Sequence, residues 1–175
     1  MTVVSDAGPL MALAKIGALD VLFRIFPKIL TPPAVHHELI TEGLRLAAPD
    51  AFLIQDRYES GELIVVSPPD APPSAPARLG AGEEESILLA IEMEAIWLLI
   101  DDFDARRAAL SSFAAAGSKA QIKGTLGVIV AAREDGALTK EEASQLVEAL
   151  RNRPDIWISA NLCDHALALL DRQPI

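Results

Sequence analysis

The amino-acid sequence predicts an α/β fold, a mainly parallel sheet with helices on both faces, on three observations. Short apolar runs recur at Thr2–Ser5, Lys28–Thr31, Glu62–Ser67 and Ala95–Asp101, separated by stretches of helical character. That alternation belongs to parallel strands joined by helical crossovers. The run Ile96-Trp97-Leu98-Leu99-Ile100 is apolar at both sets of alternating positions, as a central strand covered from two sides requires. The chain has 175 residues, of which 51% are hydrophobic, enough to bury one substantial core without asking for a second domain. The expected organisation is one domain over 1–175, with a motif-bearing core to about residue 135 and a helical extension from about 136.

Each element has its own warrant. The first strand, Thr2–Ser5, ends on Asp6, and the second is Lys28–Thr31. Pro33 suits the first turn of a helix running to about Glu42, in which Val35 and Leu39 form an i, i+4 apolar pair. After the third strand, Glu62–Ser67, five prolines between Pro68 and Pro76 exclude both helix and central strand, so this stretch is an extended surface loop. It leads to a helix after Gly82, in which Ile87-Leu88-Leu89-Ala90-Ile91 is apolar nearly all round and therefore expected to be buried. The fourth strand is Ala95–Asp101; a fifth, Lys119–Lys123, is weaker, since only Ile122 is strongly apolar. Gly124-Thr125-Leu126-Gly127 opens a further helix. Thr139 with Glu142 forms a capping-box pattern, and Ala143, Leu146, Val147 and Leu150 repeat at helical spacing, predicting a helix from Lys140 to about Asn152. Ile156-Trp157-Ile158-Ser159 precedes an apolar helix through Leu170; Trp157 is expected in the core, a subunit interface being the other use of such a side chain.

Composition excludes several classes. No apolar run approaches the roughly 18 to 20 residues that span a bilayer, and the start MTVVSDAG lacks the layout of a signal peptide, so a cytoplasmic protein without membrane partners is expected. The one cysteine, Cys163, can supply neither an internal disulfide nor a zinc cluster. A formal net charge of −10 argues against indiscriminate nucleic-acid binding, whose affinity comes from Lys and Arg displacing counterions. The charge is uneven, however: Ala105–Arg133 holds Arg106, Arg107, Lys119, Lys123 and Arg133 and no acid.

The acids are placed where chemistry is possible. Asp6 closes the first strand, Asp101 and Asp102 close the fourth, Glu83, Glu84 and Glu85 open the helix before it, and Glu38 lies one turn inside the helix after the second strand. In a doubly wound sheet the carboxyl ends of strands 1 and 4 meet at the crevice where strand order reverses. Carboxylates gathered there suit Mg²⁺ or Mn²⁺, hard cations that take oxygen ligands and can activate water against a phosphodiester. Asp6, Asp102 and the Glu triplet also fit as helix caps or dipole partners, whereas Glu38 lies past the first turn and is the hardest to explain that way. The periodicity does not decide among Glu83, Glu84 and Glu85, because first-turn side chains all lean back over the helix start.

Several ordered motifs carry a resemblance. Val3-Val4-Ser5-Asp6-Ala7-Gly8-Pro9-Leu10, Pro33-Ala34-Val35 with Glu38-Leu39, Gly82-Glu83 with Glu85-Ser86-Ile87, Leu99-Ile100-Asp101-Asp102 with Ala105-Arg106, and Gly124-Thr125-Leu126-Gly127 follow one another. Together, over about residues 1 to 160, they resemble a PIN-like domain of the prokaryotic branch related to VapC-type toxins. The resemblance implies a three-layer α/β/α sandwich, three or four acids holding Mg²⁺ or Mn²⁺, and an endoribonuclease, often the toxin half of a toxin–antitoxin pair with a small antitoxin protein. Carried over by position, the acids are Asp6, Glu38, Glu85 and Asp102. Glu at the third site and two adjacent Asp at the fourth depart from the commoner pattern.

Arg106, one turn after Asp102, and Lys123, beside the Gly124–Gly127 turn, are the candidate RNA contacts; Arg106 suits a structural ion pair equally, and the turn could offer backbone N–H groups to a phosphate, although close helix packing is the favoured explanation of its two glycines. His36 and His37 point about 100° apart on a helix and cannot clasp one metal together. Gly80-Ala81-Gly82 is followed by three glutamates where a pyrophosphate needs N–H groups, and Cys163-Asp164-His165 is too isolated for a metal site. The other functions considered are a non-catalytic module for a basic protein partner, and a metal-dependent phosphatase, which the absence of a second Asp two residues after Asp6 disfavours. A homodimer is compatible with the sequence.

Overall fold

The structure, a computed structural model, describes residues 1–69 and 79–171. Among these residues five short strands, β1 (Val3–Ser5), β2 (Ile29–Thr31), β3 (Leu63–Val65), β4 (Trp97–Leu99) and β5 (Gln121–Lys123), pair in parallel in the order β3-β2-β1-β4-β5. The register sets Val4 beside Leu30 and Leu98, Ser5 beside Leu99, and Leu99 beside Lys123. From β3 the chain crosses back over β1 to reach β4, so strand order reverses between β1 and β4 and their carboxyl ends flank a crevice.

The helices are α1 (Ala7–Lys15) and α2 (Leu19–Ile25) after β1, α3 (Pro33–His36), α4 (Gly43–Arg45) and α5 (Pro49–Glu59) after β2, and α6 (Ala81–Glu92) after β3. Then come α7 (Phe103–Ala116) after β4, and α8 (Thr125–Glu134), α9 (Lys140–Arg151) and α10 (Ala160–Leu170) after β5. Strand alternation sends side chains to two separate cores. Val3 and Leu99, with Ile29 and Leu63, pack against α1, α2, α5, α8, α9 and α10, while Val4, Leu98 and Ile100 pack against α6 and α7. These are the three layers the sequence predicted, and the apolar run 96–100 supplies both faces. Full burial of each such Leu or Ile contributes roughly 1.5 to 3 kcal/mol. Among the described residues no helix is long and apolar enough to cross a membrane.

Three expectations change in detail. The helix begun at Pro33 does not run on as one α-helix: His37–Glu42 winds as a π-helical turn between α3 and α4, with Val35 and Leu39 both buried as expected. The proline-rich loop Pro68–Pro76 lies, from Asp70 onward, outside the described residues. Trp157 is not a core residue but 100% exposed, because Ile156 and Ile158 on either side take the inward positions of an extended stretch.

Candidate functional site

Asp6 stands at the centre of the crevice. Its N–H donates to Leu99 O at 2.9 Å, carrying the β1–β4 pairing one residue beyond the strand, and its extended backbone then starts α1. Although it occupies the N-cap position, its side chain makes no capping hydrogen bond, and it is only 7% exposed. Burial above all pushes this carboxyl up to about 6; Glu38 and Glu83 push the same way, and the N–H groups of Ala7 and Gly8 pull it partly back.

Glycines let the neighbouring acids approach. A Cβ on Gly82, at the start of α6, would lie 3.4 Å from Asp6 Oδ1 and 3.6 Å from Glu38 Oε2, so both carboxylates rest against this residue. A Cβ on Gly8 would lie 3.6 Å from Asp101 Oδ2 and 3.9 Å from Asp6 Oδ2. Gly82 thus lies against one oxygen of Asp6 and against Glu38, and Gly8 against the other oxygen and against Asp101. Glu38 comes from the π-helical turn, and desolvation, then Glu83, raises its carboxyl too. Glu83 Oε2 accepts the Gly80 N–H at 2.9 Å, which holds the side chain at the helix start beside the crevice.

The end of β4 divides two tasks between adjacent aspartates. Asp101 turns inward and accepts from Thr125 N at 2.8 Å and Thr125 Oγ1 at 2.5 Å, tying β4 to the start of α8. Burial raises its carboxyl, while Thr125 and Arg106 oppose that rise. Asp102 is exposed and caps α7 by accepting the Ala105 N–H at 2.8 Å. Gly124 permits this packing, since a Cβ there would meet Asp101 Oδ1 at 2.7 Å and Arg106 Nη1 at 2.9 Å.

Of the acids assigned by resemblance, Asp6, Glu38 and Asp102 line one cavity of about 960 Å³, together with Glu83 and Asp101. Glu85 is elsewhere: its Oε2 accepts the Ala34 N–H at 2.9 Å, capping the start of α3. Glu83 was in the triplet but not singled out; its signal is the Gly80-to-Glu83 spacing, in which an N3 glutamate folds back over the helix start. The two basic candidates do not line the cavity. Arg106 donates to Ile100 O at 3.4 Å beside Asp101, and the Lys123 ammonium lies 4.2 Å from the Trp97 ring centre, drawn toward the opposite end of β4. The Thr125 N–H, at the start of α8, donates to Asp101 and is not free for a phosphate. His37 lines the cavity, whereas His36 stands edge-on to Tyr58 at 4.7 Å.

Among the described residues, no three His, Cys, Asp or Glu side chains are gathered closely enough to hold one metal ion as they stand. The donor set nevertheless fits a hard cation. Asp6 is a buried carboxylate without a cationic partner among the described residues, and shares a crevice with further carboxylates. A family model described as a PIN domain matches residues 2–172. No curated protein and no solved structure matches the chain.

Proposed function

Since the chain belongs to the PIN domain family, whose fold is nuclease-like, we propose that it is a metal-dependent endoribonuclease working at the β1–β4 crevice. The observation that carries this reading is the buried, uncapped Asp6 carboxyl, pushed to about 6 by burial and by Glu38 and Glu83. A group so placed is costly to ionise alone and has its natural partner in a cation. Asp6, Glu38 and Glu83 would hold Mg²⁺ or Mn²⁺, with Asp102 at the rim and Asp101 bracing the floor through Thr125. When bound, such a cation supplies an activated water and offsets the charge that builds on a phosphodiester. Glu38 and Glu83 keep that position negative, Gly8 and Gly82 keep it open, and Arg106 holds Asp101 and the β4 terminus in place.

Incubation of the purified protein with single-stranded and structured RNA plus Mn²⁺ tests the reading. Cleavage is expected, abolished by Asp6→Asn, strongly reduced by Glu83→Gln, and retained by Glu85→Ala, which removes only a cap. Cleavage that survives Asp6→Asn unchanged refutes the assigned site. The finer reading, a toxin paired with a small antitoxin, is supported by the resemblance to VapC-type proteins and by a net charge of −10 that suits a basic partner segment. A second reading, a non-catalytic protein-binding module, draws on the lack of three ready-gathered ligands among the described residues. Calorimetry with Mn²⁺ separates the two, since only the nuclease reading expects a binding isotherm that Asp6→Asn removes.

A further inference from the structure

Two aromatic rings stand at the mouth of the crevice, and neither serves the core. Trp157 is 100% exposed and Phe103 is 71% exposed, and both line the cavity that contains Asp6 and Asp101. Both are held out by their backbones. Phe103 is the first residue of α7, directly after the Asp102 cap. Trp157 projects from the stretch between α9 and α10, where Ile156 and Ile158 pack inward and Asp155 is gripped by Arg153 Nε and Nη2 at 2.9 Å each and by Lys15 at 3.3 Å. What sets these two apart from most other exposed apolar side chains is that both line the acid-bearing cavity.

Within the nuclease reading, charge narrows how the rings can contact RNA. Lys15 is the only Lys or Arg lining the cavity among the described residues, and Asp155 engages it. The ordinary source of RNA affinity, ammonium and guanidinium groups on phosphates, is therefore scarce in this lining among the described residues. Stacking of bases on aromatic rings is the other general source, and it needs a base whose face is free. Beside Phe103 lies the exposed Arg107 guanidinium, 6.0 Å from the ring centre and 3.7 Å from Asp104 Oδ1, a solvent-screened pair just outside the acidic lining. Resting on the nuclease reading above, we propose that Trp157 and Phe103 form a stacking platform that holds an unpaired RNA base at the mouth of the crevice.

The test uses tryptophan fluorescence of the full chain in EDTA, titrated with a short RNA either single-stranded or annealed to its complement. The other tryptophan, Trp97, is half-buried beneath Lys123, so quenching reports Trp157. The single strand is expected to quench and the duplex not, with Trp157→Ala and Phe103→Ala each weakening binding, followed by anisotropy, about tenfold, and Trp157→Phe restoring most of it. Equal binding by wild type and both alanine variants overturns the platform, as does equal binding of duplex, or quenching by a basic amphipathic peptide but not by RNA. Binding as expected with no cleavage under any divalent metal removes the nuclease reading and leaves the platform. Cleavage with unchanged KM in both alanine variants does the reverse.

Discussion

Burial holds the Asp6 carboxyl at about 6, against an ordinary 3.8, and that direction has a consequence for stability. Between roughly pH 4 and 6 the folded chain binds more protons than the unfolded chain, so stability falls as pH rises through this window and the full cost is present above it. In EDTA at neutral pH, Asp6→Asn is expected to be more stable than wild type by up to about 3 kcal/mol, the difference vanishing below roughly pH 4. Urea unfolding across that range measures it, and a wild type more stable than the variant at neutral pH contradicts the account. Among residues, Asp6 was legible from the sequence because one acid directly after the first strand has a single destination. The Glu83-Glu84-Glu85 run was not. Its helix is apolar nearly all round, so periodicity names no outward face, and only the packing of α3 against α6 sends Glu85 to Ala34 and leaves Glu83 at the crevice.

At the scale of elements, the start of α8 shows how a strand end and a helix start are joined. Gly124 has φ of −95°, which any residue adopts, so its requirement is space alone. A Cβ there meets Asp101 Oδ1 at 2.7 Å and Arg106 Nη1 at 2.9 Å, and Gly124→Ala is expected to cost about 1 to 3 kcal/mol. Thermal unfolding in EDTA checks this; an unchanged midpoint means that the Asp101–Thr125 tie is looser than the distances imply. Elements with a local signature were readable. The α9 capping box is formed as its residues predict, Thr139 N donating to Glu142 Oε2 at 2.7 Å, and even the weak β5 is a strand. The π-helical turn at His37–Glu42 was not readable, because Val35 and Leu39 satisfy the same apolar spacing with or without it. Trp157 was misplaced because short apolar runs do not reveal which alternate residue faces inward.

For the whole molecule, the proposed cation site makes stability depend on divalent metal. Mn²⁺ at millimolar concentration is expected to raise the melting temperature of the wild type and to raise that of Asp6→Asn much less, because a ligand that binds only the folded state stabilises it by mass action. Differential scanning fluorimetry measures both, and equal shifts mean that the cation binds elsewhere. The chain by itself determined the layered α/β plan, the parallel direction of the strands, and the arrival of Asp6 and Asp101-Asp102 at strand ends. Those are properties of local hydrophobic periodicity, which needs no knowledge of distant partners. Only the tertiary structure decided which side chains share the crevice. Whether Glu83 or Glu85 faces Asp6, whether Asp101 is free or tied to Thr125, and whether Lys123 reaches outward or lies on Trp97 depend on the angle at which one element packs on another. A turn of one helix about its axis exchanges those roles without altering a single local signal.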